Sequence, residues 1–140
     1  MISPANPRMI PQPVFSVGFV SLGCVKNLVD SQVMAGELIA RGVPLAPSPE
    51  EADVIIVNTC AFIADARHES ARAIEGACRL KRRGRVRAVV VAGCFPQREH
   101  ERLFDLFPEI DAVMGVDELR DVAAIVARLE QGDRLFSLVS

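Results

Sequence analysis

The chain has no tryptophan and no tyrosine among its 140 residues. A stacking platform for single-stranded nucleic acid would therefore have only phenylalanine and histidine to draw on. Charge of one sign is also missing. Sixteen basic residues face eighteen acidic ones, a net charge of −2, so nothing global points to nucleic acid or an anionic membrane surface. No apolar stretch approaches the roughly 20 residues of a membrane span. The N-terminus lacks a basic region followed by an apolar one, which argues against a signal peptide and for a cytoplasmic location. Cysteine is sparse and widely spaced. The four cysteines are Cys24, Cys60, Cys78 and Cys94, and no two are closer than 16 positions. The close pairs typical of structural zinc sites are thus absent. A phosphatase of the C-x5-R type is excluded too, because the residues six after Cys24, Cys60 and Cys94 are Asp30, Ala66 and His100. GCVKN after the first apolar run has one glycine, too few for a flavodoxin-like phosphate loop. The acidic residues of a receiver domain are not at the strand ends.

What is present is an apolar half of the chain, enough for the core of one domain. Val54 to Val57 is a short, continuous aliphatic run, the pattern of a strand buried on both faces. It runs into Asn58, Thr59 and Cys60. Val17 to Leu22 runs in the same way into Gly23-Cys24, and Val89 to Ala92 into Gly93-Cys94. Three cysteines, 36 and 34 positions apart, therefore sit just past the ends of three predicted strands.

The segments between these runs read as helices. Residues 1–13 hold four prolines and read as a flexible leader. Asn27 is a candidate N-cap, with Asp30 three residues on. Val29, Val33, Met34, Leu38 and Ile39 follow at helical spacing, and Gly42 is placed to end that helix. Residues 43–46 make a weak second strand whose Pro44 restricts it to an edge. A long helix spans about 64–82, a strand 86–92, a helix 97–107 that stops before Pro108, and a strand 112–114. Asp117 is placed to cap a last helix that runs to about Glu130 and Gly132. The domain proper is residues 14–132. Residues 133–140 read as an exit linker toward a further domain, with a sixth strand as the other reading.

This alternation predicts an α/β three-layer sandwich, flavodoxin-like, with a five-stranded mainly parallel sheet in the order 2-1-3-4-5. In an open parallel sheet the carboxyl ends of all strands share one edge, where ligands bind. The order sets the three cysteine-bearing strands side by side, about 4.8 Å apart.

Thiolates select zinc, copper(I) or iron–sulfur clusters. A fourth ligand would have to be Cys78, His68 or His100. Cys78 falls mid-helix on an inner face, where a free cysteine is commonly an apolar filler. The two histidines lie in polar helical stretches. Three cysteines without a fourth suit an iron–sulfur cluster with one iron left open. A redox thiol set and a non-catalytic zinc or docking module remain alternatives at this level. Asn58 and Thr59 are candidate hydrogen-bond donors to cluster sulfurs, and Asn27 a candidate support behind them. Arg79, Lys81, Arg82, Arg83, Arg85 and Arg87 form a basic run that suits a helix C-terminus, and contact with a ribosome is its other reading.

Four blocks carry a family resemblance. SLGCVKNLVDSQ, ADVIIVNTCAFI followed by Ala66, Glu69 and Ser70, VVVAGCFPQR and FPEIDAVMGVDE together resemble the N-terminal domain of the radical-SAM methylthiotransferases. The first block is nearer to the branch that modifies a ribosomal protein than to the tRNA-adenosine branch. The resemblance implies that Cys24, Cys60 and Cys94 hold a [4Fe–4S] cluster whose open iron takes the sulfur donor. It implies S-adenosylmethionine as methyl and radical source, and as substrate an aspartate β-carbon in the S-twelve protein of the small ribosomal subunit. The family's C-x3-C-x2-C motif is absent, since no cysteine follows Cys94. S-adenosylmethionine and a second [4Fe–4S] cluster are thus expected in a domain beyond residue 140, and the fragment alone is expected to be inactive. Direct nucleic-acid or membrane binding by this domain is not expected.

Overall fold

Val54–Thr59, the strand β2, has every residue buried and is paired on both sides. In this computed structural model, which describes residues 14–22, 25–59, 64–93 and 99–138, β2 lies between β1 (Val17–Ser21) and β3 (Ala88–Gly93), parallel to both. The sheet continues through β4 (Ala112–Met114) to β5 (Phe136–Leu138). All four pairings are parallel. The helices are α1 (Val25–Ala40), α2 (Ala64–Arg82), α3 (Glu99–Leu106) and α4 (Val122–Glu130), one in each crossover.

Side chains alternate across the pleat, so one apolar run feeds two cores. Val54 and Ile56 of β2, with Val90 and Ala92 of β3, face Met34 and Leu38 of α1 and Ile125 and Leu129 of α4. Ile55, Val57, Val89 and Val91 face Ile74, Ala77 and Cys78 of α2 and Leu103 of α3. Each fully buried aliphatic side chain contributes about 2 kcal/mol of transfer free energy. This is the expected α/β three-layer sandwich.

The strand order differs from expectation at the two edges. The stretch expected as strand 2 is a single parallel bridge, Val17 to Leu45, outside β1. Val17 N donates to the Pro44 carbonyl (3.0 Å) and Ala46 N donates to the Val17 carbonyl (2.8 Å), but Pro44 has no N–H to offer, so the ladder cannot extend back past Val17. At the far edge the tail read as a linker includes β5. The Asp111 carbonyl takes the amides of Leu135 (2.7 Å) and Phe136 (3.2 Å), and the Arg128 guanidinium lies 3.8 Å from the Phe136 ring centre. The inner neighbours are as expected, and the three cysteine-bearing strands are adjacent.

Two helix starts are also corrected. Helix α1 opens at Val25, so Asn27 is its third residue and not its cap. Its amide donates to the Leu22 carbonyl (2.6 Å), whereas a cap must accept. The last helix opens with a 3-10 turn, Val116–Asp121, so Asp117 lies inside that turn. The expected helix ends hold. Gly42 N bonds Ile39 O and Val43 N bonds Leu38 O, the paired closing bonds of a Schellman motif, and the same pattern recurs at Gly132.

Helix α1 buries a stripe that hydropathy alone does not reveal. Asn27, Asp30, Ser31, Met34 and Leu38 face inward, while Val29 and Ile39 are 47% and 62% exposed. The buried stripe is polar beside the strand ends and apolar beside the strand middles. Among the described residues no helix is long and apolar enough to cross a membrane.

Candidate functional site

The carboxyl ends of β1, β2 and β3 stop almost level. Ser21 pairs with Asn58, Asn58 with Ala92, and Thr59 with Gly93. In sequence, Cys60 and Cys94 come directly after the paired residues Thr59 and Gly93, and Cys24 comes three after Ser21. Cys24, Cys60 and Cys94 lie outside the described residues, as does the side chain of His100. The structure thus describes the frame from which three thiols depart.

That frame is tightly bonded. Asn58 Nδ2 donates to the Asn27 carbonyl (2.9 Å) and to Ser31 Oγ (3.1 Å). Ser31 Oγ is 2.5 Å from Ser21 Oγ. Thr59 Oγ1 donates to the Ala92 carbonyl (3.1 Å), so β2 is tied to β3 by a side chain as well as by the ladder. Helix α1 is held to β1 through Asn27 and to β2 through Asn58. Lys26 pairs with Asp30 at 3.0 Å, one turn apart on α1.

The direction of these bonds limits what the frame can do. An amide has two hydrogens and a hydroxyl one. The hydrogens of Asn58 and Thr59 expected to reach sulfur are used within the protein. Only an acceptor is left on Asn58: Oδ1 is buried and has no partner among the described residues. Thiolate and sulfide are acceptors themselves and cannot satisfy it. Asn27, 3% exposed, gives one amide hydrogen to Leu22, and the other has no partner among the described residues.

Of the other metal-ligand candidates, His68 and Cys78 lie ten positions apart on α2. Among the described residues no group of three histidine, cysteine or carboxylate side chains could hold a metal ion. His68 is exposed on α2, beside a cavity of about 480 Å³ that it shares with Ala71, Arg72 and Glu75. Cys78 is completely buried among aliphatic side chains between α2 and the sheet. Burial, reinforced by Glu109 and Glu75, pushes its thiol up to about 12. It is a protonated filler of the apolar layer.

Half of the basic run is committed to partners. Lys81 binds both oxygens of Asp111 (2.8 and 3.0 Å) and the Glu109 carbonyl (2.9 Å). Arg82 bridges Glu75 and Glu109, and Arg87 meets Asp53 at 3.4 Å. Arg79, Arg83 and Arg85 are exposed.

Sequence reasoning missed Ser21 and Ser31. The signal was available: Asn27, Asp30, Ser31, Met34 and Leu38 recur at the three- and four-residue spacing of one helical face.

Comparison with known proteins agrees with the resemblance carried by the cysteine blocks. A protein of Pelotomaculum thermopropionicum named ribosomal protein uS12 methylthiotransferase RimO is 46% identical over 119 residues, covering 85% of this chain and 27% of that protein. Its namesake in Trichlorobacter lovleyi is 48% identical over 117 residues, covering 84% and 26%. The one in Bdellovibrio bacteriovorus is 42% identical over 118 residues, covering 84% and 26%. The chain spans about a quarter of the length of these curated relatives. The model of a family described as Uncharacterized protein family UPF0004 matches residues 16–115, from the strand before Cys24 to the end of β4. With most of its length inside that match, the chain belongs to the UPF0004 family, alongside relatives named as methylthiotransferases.

Proposed function

We propose that this chain is the N-terminal, cluster-bearing domain of a cytoplasmic methylthiotransferase that modifies ribosomal protein uS12. Cys24, Cys60 and Cys94 would hold a [4Fe–4S] cluster by three thiolates. The observation that carries this reading is the level, parallel termination of β1, β2 and β3, with a cysteine within three residues of each end. Neighbouring strands about 4.8 Å apart bring such positions within reach of one small inorganic group. The donor set fits, since three thiolates are soft ligands of the kind that iron–sulfur clusters take. Bound there, the cluster supplies an open iron where the sulfur to be transferred can attach.

The described residues act on the frame. Asn58 and Ser31 fix α1 against β2, Thr59 fixes β2 against β3, and Asn27 fixes the exit from β1. The spare amide hydrogen of Asn27 is the one free to reach a cluster sulfur. A donor so placed stabilises added negative charge and raises a reduction potential. S-adenosylmethionine and the second cluster belong, in this reading, to a region of the protein with the C-x3-C-x2-C motif that these 140 residues lack. The names of the relatives favour uS12 over tRNA adenosine as substrate.

Anaerobic reconstitution with iron and sulfide tests the metal assignment. Close to four irons per chain are expected, falling sharply in Cys24→Ala, Cys60→Ala and Cys94→Ala and unchanged in Cys78→Ala. Zinc uptake without iron would establish the structural alternative. Mass spectrometry of uS12 and of tRNA from a strain deleted for the full-length protein tests the substrate. Loss of the tRNA modification alone would overturn the uS12 assignment.

A further inference from the structure

Asn58 has its two amide hydrogens on two different residues of α1. One reaches the Asn27 carbonyl and the other Ser31 Oγ, and both bonds are buried. With only the first, the amide would be free to turn about a single hydrogen bond. The second fixes its plane. Ser31 Oγ also meets Ser21 Oγ at 2.5 Å, at the last residue of β1. One hydroxyl therefore joins α1, β1 and β2 at the level where the chain leaves both strands toward Cys24 and Cys60. Ser31 is itself 6% exposed and sits on the polar end of the buried stripe. An aliphatic side chain would cover the same strand ends but could not accept from Asn58.

Resting on the cluster reading above, we propose that Ser31 is a positioning residue for the metal site. Acting through Asn58 and Ser21, it fixes the ends of β1 and β2 against α1, the described positions from which Cys24 and Cys60 follow in sequence, and so how firmly two of the three thiolates are held. Ser31 does not touch the metal in this scheme. Its effect is passed on by the amide plane of Asn58 and by the end of β1.

The test compares Ser31→Thr with Ser31→Val, which share a shape and differ by the hydroxyl. Each chain is reconstituted anaerobically with iron and sulfide. The visible absorbance is followed after adding an iron chelator, and the electron paramagnetic resonance spectrum of the reduced cluster is recorded. Ser31→Thr is expected to lose the cluster within about twofold of the wild-type rate. Ser31→Val is expected to lose it about tenfold faster, the effect of one buried hydrogen bond, with an altered spectrum. Ser21→Ala, which cuts only the β1 arm at an exposed residue, is expected to lie between them. Thermal unfolding of the metal-free chains separates a folding defect from a site defect. If Ser31→Val does not fold, Ser31→Ala replaces it in the comparison. Wild-type loss rates and spectrum in the variant lacking the hydroxyl would overturn the proposal, even if that variant were less stable. Failure of the wild-type chain to take up iron would instead overturn the cluster reading, and this proposal with it.

Discussion

Thr59 and Gly93 pair across β2 and β3 so closely that position 93 has no room for a side chain. A Cβ there would lie 2.7 Å from the Thr59 carbonyl oxygen and against the Thr59 hydroxyl, and Gly93 has φ +154°, which other residues rarely adopt. Relief would require β2 and β3 to separate immediately before Cys60 and Cys94. Gly93→Ala is therefore expected to destabilise the fold by about 3 kcal/mol, as measured by urea unfolding. A loss below about 1 kcal/mol would mean that the strand ends are slack.

Asp111 joins three elements through one carboxylate. It accepts from Lys81 of α2 and from the Val89 amide of β3 (2.9 Å), and it meets Arg134, just before β5, at 3.3 Å. Its side chain is 4% exposed. Asp111→Ala would strand the buried Val89 amide and take the carboxylate from two partly exposed cations, an expected cost of about 2–3 kcal/mol. Arg82→Ala removes two exposed ion pairs one residue from Lys81 and is expected to cost less than about 1 kcal/mol. Denaturant midpoints of the two variants check the contrast, and equal losses would refute it.

Cys78 gives the fold a dependence on alkaline pH. Its thiol is pushed from 9.0 up to about 12, first by burial, so the folded state favours the protonated form. The sign follows directly. This contribution is complete below the unfolded value of 9.0 and is lost as pH rises from there toward 12. Unfolding free energies of the wild type and Cys78→Ala, measured from pH 8 to 11, are expected to converge as pH rises. The native thiol is also expected to resist alkylation at pH 8, while urea exposes it. Rapid native labelling of Cys78 would contradict its placement.

The strand interiors were legible because a doubly buried strand needs an unbroken aliphatic run, and Val54–Val57 and Val89–Val91 admit little else. Their adjacency followed from parallel topology, and with it the gathering of cysteine-bearing ends on one edge. The edges were less legible. Pro44 marked an edge strand but not how short it would be. Phe136–Leu138 has no run of its own and is fixed by the Asp111 carbonyl and by Arg128. Helix α1 misled for a different reason. Hydropathy chose Val29 and Ile39 as inward, but the layer above the strand ends is polar, and Asn27 and Ser31 are buried there by hydrogen bonds. A pattern read for oil does not register a face buried for its hydrogen bonds.

The sequential order of the sheet has a consequence for synthesis. Each strand pairs with the one made just before it, so the sheet grows at one edge and no strand is threaded between two already joined. The layer on the α2 side has its first helix as soon as β3 is laid down and needs only Leu103 of α3, the next element, to complete it. The layer on the α1 side stays half covered until α4, because Ile125 and Leu129 complete it. The last helix also reaches back to the first described segment, where Glu130 accepts the amide of Phe15 at 2.8 Å across 115 positions of sequence. A nascent chain of this protein would thus carry a nearly finished frame for its three cysteines while one side of that frame still lay open to the chaperones around it.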